Sequence, residues 1–199
     1  MKPVLSWRSK VSWTKRSFDV VAALVILLVL MPALLLLAVL IRVTSKGPAL
    51  HWSNRVGKEN RIFEMPKFRS MHIEAPLLPT HLLSDPGLYL TSVGSFIRRT
   101  SLDECPQLFS ILIGHMSFVG PRPALFSQSD LVTLRTKGGV HLLAPGLTGW
   151  AQVNGRDELS MTAKVHYDYE YLQRQSFNFD LKIIGLTVVR VLQKKDVTH

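Results

Sequence analysis

The chain has one cysteine, Cys105, in 199 residues. An intramolecular disulfide is therefore excluded, and a reducing compartment fits. No Cys/His cluster has the spacing of a zinc site, which argues against a zinc module. Acids are also scarce, with 14 Asp+Glu against 24 Lys+Arg and a formal net charge of +10. That balance implies an anionic partner: nucleic acid, an anionic membrane surface or a phosphorylated substrate. Internal repeats and low-complexity segments are missing, and the length suits one domain with one accessory element.

Charge disappears entirely from residues 20–41, VVAALVILLVLMPALLLLAVLI. Roughly 22 residues make about 33 Å of helix, enough to cross a hydrocarbon core. The run is too long for a signal-peptide core, and no small-x-small cleavage site follows it. Lys2, Arg8, Lys10, Lys15 and Arg16 precede it, while Arg42, Lys46, Arg55, Lys58 and Arg61 follow, so both flanks carry a cytoplasmic signature. Pro32 removes a main-chain hydrogen bond and crowds the preceding turn, which can kink the helix and return both ends to one face. On these residues alone, a re-entrant helix and a single-pass anchor with a tolerated proline both stay open.

After the turn formers Ser45-Lys46-Gly47-Pro48, apolar stretches around residues 50–52 and 61–63 flank Gly57 and predict a hairpin-like pair. Residues 74–87 read as a loop on the membrane surface, and residues 91–99 as a short amphipathic segment. Next comes the acidic pair Asp103-Glu104, with Arg98, Arg99 and Arg122 close in sequence. Such a pair among arginines suits phosphoryl chemistry. The guanidinium groups grip phosphate oxygens while a carboxylate holds a divalent metal or attacks phosphorus. Ser101-Leu102-Asp103-Glu104 also has the form of a capping box. Pro106 favours Asp103 as N-cap of a helix over about residues 104–113, with the acids at its N-terminus. Gly120-Pro121-Arg122-Pro123 predicts a stiff turn that restrains Arg122, and residues 145–150 and 154–156 read as further turns. Helices are predicted over residues 161–174 and 181–194.

Lys67-Phe68-Arg69-Ser70-Met71, Thr100 through Glu104 with Pro106-Gln107-Leu108, Met116 through Pro123, and Pro145 through Arg156 together resemble the bacterial monotopic polyprenyl-phosphate phosphoglycosyl transferases. The resemblance covers nearly the whole chain, from Lys15-Arg16-Ser17-Phe18-Asp19 to the last helix. It implies transfer of a sugar-1-phosphate from a UDP-sugar to undecaprenyl phosphate on the cytoplasmic leaflet of the inner membrane, with UMP released. By the same likeness Asp103 is the nucleophile, forming an aspartyl-phosphosugar, and Glu104 with Asp103 holds Mg²⁺. Lys67, Arg69, Arg98 and Arg122 match basic positions and are expected to bind substrate phosphate. Arg156 and Asp168 match supporting positions around the substrate. The likeness also tips Pro32 toward a helix that turns back within one leaflet. Three positions depart from the family pattern: His115 where an acid is usual, Cys105 for an aliphatic, and Pro66 for an aromatic.

The expected architecture is α+β and mostly helical. A proline-kinked re-entrant membrane helix in residues 1–46 precedes a small cytoplasmic catalytic domain in residues 47–199, with amphipathic helices on the membrane surface. Partners are the UDP-sugar, undecaprenyl phosphate and membrane lipid; a homo-oligomer stays open. A membrane-tethered nucleic-acid module is disfavoured because the arginines cluster around acids, which repel a phosphate backbone. A catalytically silent scaffold for polysaccharide assembly is the remaining alternative, and the intact acidic pair counts against it.

Overall fold

The computed structural model describes residues 13–75, 85–155 and 158–193. Its elements in chain order are α1 (Trp13–Thr44), β1 (Leu50–Val56), β2 (Ile62–Phe68), α2 (Ser92–Arg99), α3 (Gln107–Leu112), β3 (Ser117–Val119), β4 (Ala124–Leu125), α4 (Ser129–Lys137), β5 (Gly146–Thr148), α5 (Trp150–Val153), α6 (Met161–Arg174) and α7 (Phe177–Gln193). The fold is α+β with helix predominant and a long apolar helix leading it, as expected.

Among the described residues, α1 is the one helix long and apolar enough to cross a membrane. Lys15, Asp19, Ala23, Leu27, Leu34, Leu37 and Ile41 are buried. Their spacing of three, four or seven residues sets them on one stripe. The opposite side leaves Leu24, Leu28, Val29, Leu35, Leu36 and Val39 exposed. Helical structure runs through Pro32 without a break, so a turn-back there is not visible as an interruption. Pro32 forgoes only its own bond to the carbonyl four residues earlier, while the stripe keeps packing on both sides of it.

Both ends of α1 are tied to the rest of the molecule. Near the start, Lys15 Nζ lies 2.6 Å from Asp180 Oδ2 and donates to the Val119 carbonyl at 3.1 Å. Arg16 donates to the carbonyls of Ile111 and Leu112 at 2.6 and 2.7 Å, and Asp19 Oδ1 accepts from the Phe118 N–H. Just past the other end, Arg69 donates to the Ser45 carbonyl and hydroxyl at 2.9 and 2.7 Å, and to the Lys46 carbonyl. These charged groups sit where the apolar run ends, because main-chain carbonyls and a partner acid compensate their desolvation there.

The predicted hairpin forms: β1 and β2 pair antiparallel from Leu50 opposite Phe68 to Val56 opposite Ile62. β4 adds to the free edge of β1, giving the order β2-β1-β4. β3 and β5 make a separate parallel pair. This corrects the turn expected over residues 145–150, since 146–148 are strand and Trp150 opens α5. A Cβ on Gly146 would lie 2.1 Å from the Gly120 amide nitrogen. The glycines that mimic a turn in sequence are there because two backbones touch. α7 begins at Phe177 rather than 181, since the Ser176 hydroxyl accepts from the Phe179 N–H and starts the helix early.

Two core clusters result. The first joins the α1 stripe to Phe63, Met65, Phe68, Ile97, Leu108, Ile111 and Met116. The second gathers Val119, Leu143, Val153, Tyr171, Leu172, Phe179 and Ile183. Phe118 packs against both.

Candidate active site

Asp103 and Glu104 lie on a 3-10 turn, Leu102–Glu104, between α2 and α3. This corrects the helix expected from residue 104, for α3 starts at Gln107 with Pro106 before it. Ser101 is left-handed, at φ 57° and ψ 18°, and its side chain caps nothing, so the capping box does not form. A non-glycine residue in that region costs about 1–2 kcal/mol. The half-buried acids sit on the turn that leads into α3 rather than in the first turn of the helix itself.

Cations converge on them from three directions. In the hairpin register His51 faces Lys67 and Arg55 faces Phe63. Alternation therefore puts Arg55 and Lys67 on the same sheet face. Arg98 stands in the last turn of α2, its Nε donating to Ser70 Oγ at 2.8 Å. α2 can come this close to Ser70 because Gly94 has no side chain; a Cβ would lie 1.9 Å from the Ser70 carbonyl oxygen. From the proline-flanked turn, Arg122 Nη2 reaches Glu104 Oε1 at 3.2 Å.

The charges strain one another. Burial, and next the neighbouring Glu104, push the Asp103 carboxyl up from 3.8 to about 6, against the pull of Lys67 and Arg98. Burial, then Arg98 and Arg55, lower Lys67, while the two acids draw it back up. Arg55 is lowered to about 10 by burial and by Arg122. Four cations crowd two carboxylates, and a diphosphate placed among them would relieve the excess positive charge.

A sequence model described as bacterial sugar transferase matches residues 10–194. The chain belongs to the bacterial sugar transferase family. It is 38% identical over 185 residues to the UDP-glucose:undecaprenyl-phosphate glucose-1-phosphate transferase of Escherichia coli (strain K12), covering 88% of this chain and 39% of that protein. It is 41% identical over 187 residues to the undecaprenyl-phosphate glucose phosphotransferase of Komagataeibacter xylinus, covering 88% of this chain and 35% of the relative. The uncharacterized sugar transferase EpsL of Bacillus subtilis (strain 168) is 38% identical over 183 residues, covering 92% of this chain and 89% of EpsL. The chain thus spans less than two fifths of the length of the first two relatives, and most of the third.

Within this sugar transferase fold, the expected site residues divide. Asp103, Glu104, Lys67, Arg98 and Arg122 come together. Arg69 does not join them: it is 7% exposed, and its guanidinium is turned to Ser45 and Lys46. A phosphate-gripping role finds no support in that placement. Asp168 is 2% exposed and pairs with Arg135 at 2.6 Å. Arg156 lies outside the described residues. His115 is exposed beside the Phe63 ring, with centroids 5.4 Å apart, and half-buried Cys105 packs against the first core cluster. Arg55 and Arg135 were missed as site residues. Arg55 could have been found by carrying the strand alternation across the hairpin from Lys67, whereas Arg135 left no sequence signal.

No group of three or more His, Cys, Asp or Glu that could hold a metal exists among the described residues. Two adjacent carboxylates nonetheless fit Mg²⁺, which keeps several waters and binds through one or two carboxylates plus substrate phosphates.

Proposed function

We propose that the chain transfers a sugar-1-phosphate from a UDP-sugar to undecaprenyl phosphate. The observation that carries this reading is the Asp103-Glu104 pair, with Asp103 raised to about 6 and four cations around it. Relatives named as undecaprenyl-phosphate glucose transferases support the substrate class. Ionised Asp103 attacks the phosphorus that bears the sugar, and the P–O bond to UMP breaks, so UMP departs with the electron pair. An oxygen of undecaprenyl phosphate then attacks the same phosphorus, and Asp103 leaves as a carboxylate. Each displacement forms one P–O bond and breaks one. Lys67, Arg55, Arg98 and Arg122 hold the diphosphate and offset the charge that develops on the leaving phosphate. Glu104, with Asp103, would hold Mg²⁺, whose chemistry here is neutralisation of the diphosphate. A carboxyl of raised pKa is the better nucleophile once ionised, and at pH 7 most of it is ionised.

The membrane arrangement belongs to the same proposal. α1 lies in one leaflet with its outer apolar side in lipid, and the catalytic part stays on the cytoplasmic face of the inner membrane. The ties at both ends of α1 support this, because a helix crossing the bilayer would carry one set of them to the far side. Exposed Phe96 on α2, Phe109 on α3 and Ile113 just past the end of α3 suit contact with the same surface, since both helices pack on α1.

Intact-protein mass spectrometry tests the chemistry. The detergent-solubilised chain is incubated with Mg²⁺ and a panel of UDP-sugars without lipid acceptor. A mass gain of one sugar phosphate, UMP release, and loss of both in Asp103→Asn are expected. No adduct with any donor, and no product when polyprenyl phosphate is added, would favour a silent scaffold. For the membrane side, Ser9→Cys and Lys58→Cys in a Cys105→Ser background should both react from the cytoplasmic face only. Labelling from opposite faces would refute the one-leaflet arrangement.

A further inference from the structure

Pro121 and Pro123 have no N–H, so the turn that carries Arg122 is poor in donors for holding itself. Three consecutive carbonyls are instead held from outside. The Gly146 N–H donates to Pro121 O at 2.9 Å, Arg135 Nη1 to Arg122 O at 2.8 Å, and Arg55 Nη1 to Pro123 O at 3.4 Å. Arg135 is the best anchored of the three. Its Nε and Nη2 both donate to Asp168 Oδ2, at 2.9 and 2.6 Å, and the side chains of the pair are only 11% and 2% exposed. All three guanidinium nitrogens are thus engaged, two on an acid from α6 and one on the main chain of Arg122. Arg122 in turn meets Glu104 at 3.2 Å.

We propose that Arg135, locked by Asp168, is a positioning residue that fixes the main chain of Arg122 and so aims its guanidinium at Glu104 and the donor phosphate. The inference rests on the reading of Arg122 as a phosphate-binding residue. A shift of about 1 Å at such a group can cost about 100-fold in rate. A guanidinium is required because its planar fork serves the acid and the carbonyl together; a lysine ammonium at 135 keeps the charge opposite Asp168 but cannot span both.

The test uses the full chain with Mg²⁺, undecaprenyl phosphate and whichever UDP-sugar the wild type accepts. Arg135→Lys is expected to keep the wild-type unfolding midpoint while kcat falls about 10- to 100-fold, as for supporting residues around catalytic groups. A cycle with Arg122→Lys separates positioning from general support. If Arg135 acts through Arg122, the double variant turns over within about threefold of Arg122→Lys alone. Full wild-type turnover in Arg135→Lys, or losses that multiply in the double variant, would overturn the proposal. Should Arg135→Lys fold poorly, Arg135→Met/Asp168→Leu removes both charges at similar volume. The same loss of kcat is expected there, and wild-type turnover would overturn the proposal. A wild-type chain that makes neither adduct nor lipid product with any donor overturns the transfer reaction itself, an outcome distinct from an active wild type with an indifferent Arg135.

Discussion

Asp103→Asn should make the protein inactive and more stable together. The Asp103 carboxyl rises from 3.8 to about 6 on folding, mainly through burial and then through Glu104. About two pKa units at about 1.4 kcal/mol each make roughly 3 kcal/mol of penalty for keeping the ionised group in the fold at pH 7. The sign follows from proton binding: the folded state holds this proton more tightly, so the penalty is full above about pH 6 and fades as pH falls toward 3.8. Asparagine keeps the shape and removes the charge. For a chain of this size about 3 kcal/mol corresponds to a rise of roughly 6–12 °C in Tm. Thermal unfolding of wild type and variant in one detergent should show that gap at pH 7.5 and about half of it at pH 5. A variant no more stable than wild type at pH 7.5, or a gap that widens on acidification, would refute the electrostatic account of the site. The catalytic counterpart is that adduct formation by the wild type declines as pH drops through about 6, where Asp103 becomes protonated.

Glu104→Gln should lower kcat by about 100-fold or more, measured as lipid product formed. It also removes a charge that raises Asp103, so the acid limb of adduct formation should move below pH 6; an unmoved limb would refute the coupling. Arg69→Ala should cost about 2–3 kcal/mol in urea unfolding, because the Ser45 and Lys46 carbonyls lose a charged donor, and an unchanged midpoint would contradict that. Lys15→Met should cost about 3–5 kcal/mol by stranding buried Asp180, and adding Asp180→Leu should recover most of it. A double variant as unstable as the single one would refute the pair as the cause.

Legibility in the sequence followed the range of the interactions involved. The hairpin, α6 and the apolar α1 were readable because strand alternation, helical period and composition are local properties. The acidic pair was readable as chemistry but not as geometry. A Ser-x-x-Glu pattern looks like a cap, and only the left-handed Ser101 shows that no cap forms. β5 was hidden because Gly146 and Gly149, placed for close backbone contact, carry the same composition as a turn. Arg69 illustrates the opposite limit. Its place in a Lys-Phe-Arg-Ser motif beside the site suggested phosphate, yet it lies just past the end of β2 and its guanidinium is taken up by the Ser45 and Lys46 carbonyls, 24 and 23 positions earlier in the chain. Arg135 pairs with a residue 33 positions away and with a carbonyl 13 positions away, contacts that no local pattern encodes.

The inner stripe of α1 has a practical consequence for anyone wanting this catalyst in water. Ala23, Leu27, Leu34, Leu37 and Ile41 complete the same hydrophobic cluster as Ile97, Leu108 and Ile111. Deleting the helix would therefore uncover the floor beneath the acidic pair, and a truncated chain would aggregate rather than dissolve. The route to a soluble form is to keep the helix and recolour its exposed apolar side with charge at Leu24, Leu28, Leu35 and Val39, leaving the stripe that the rest of the chain folds against intact.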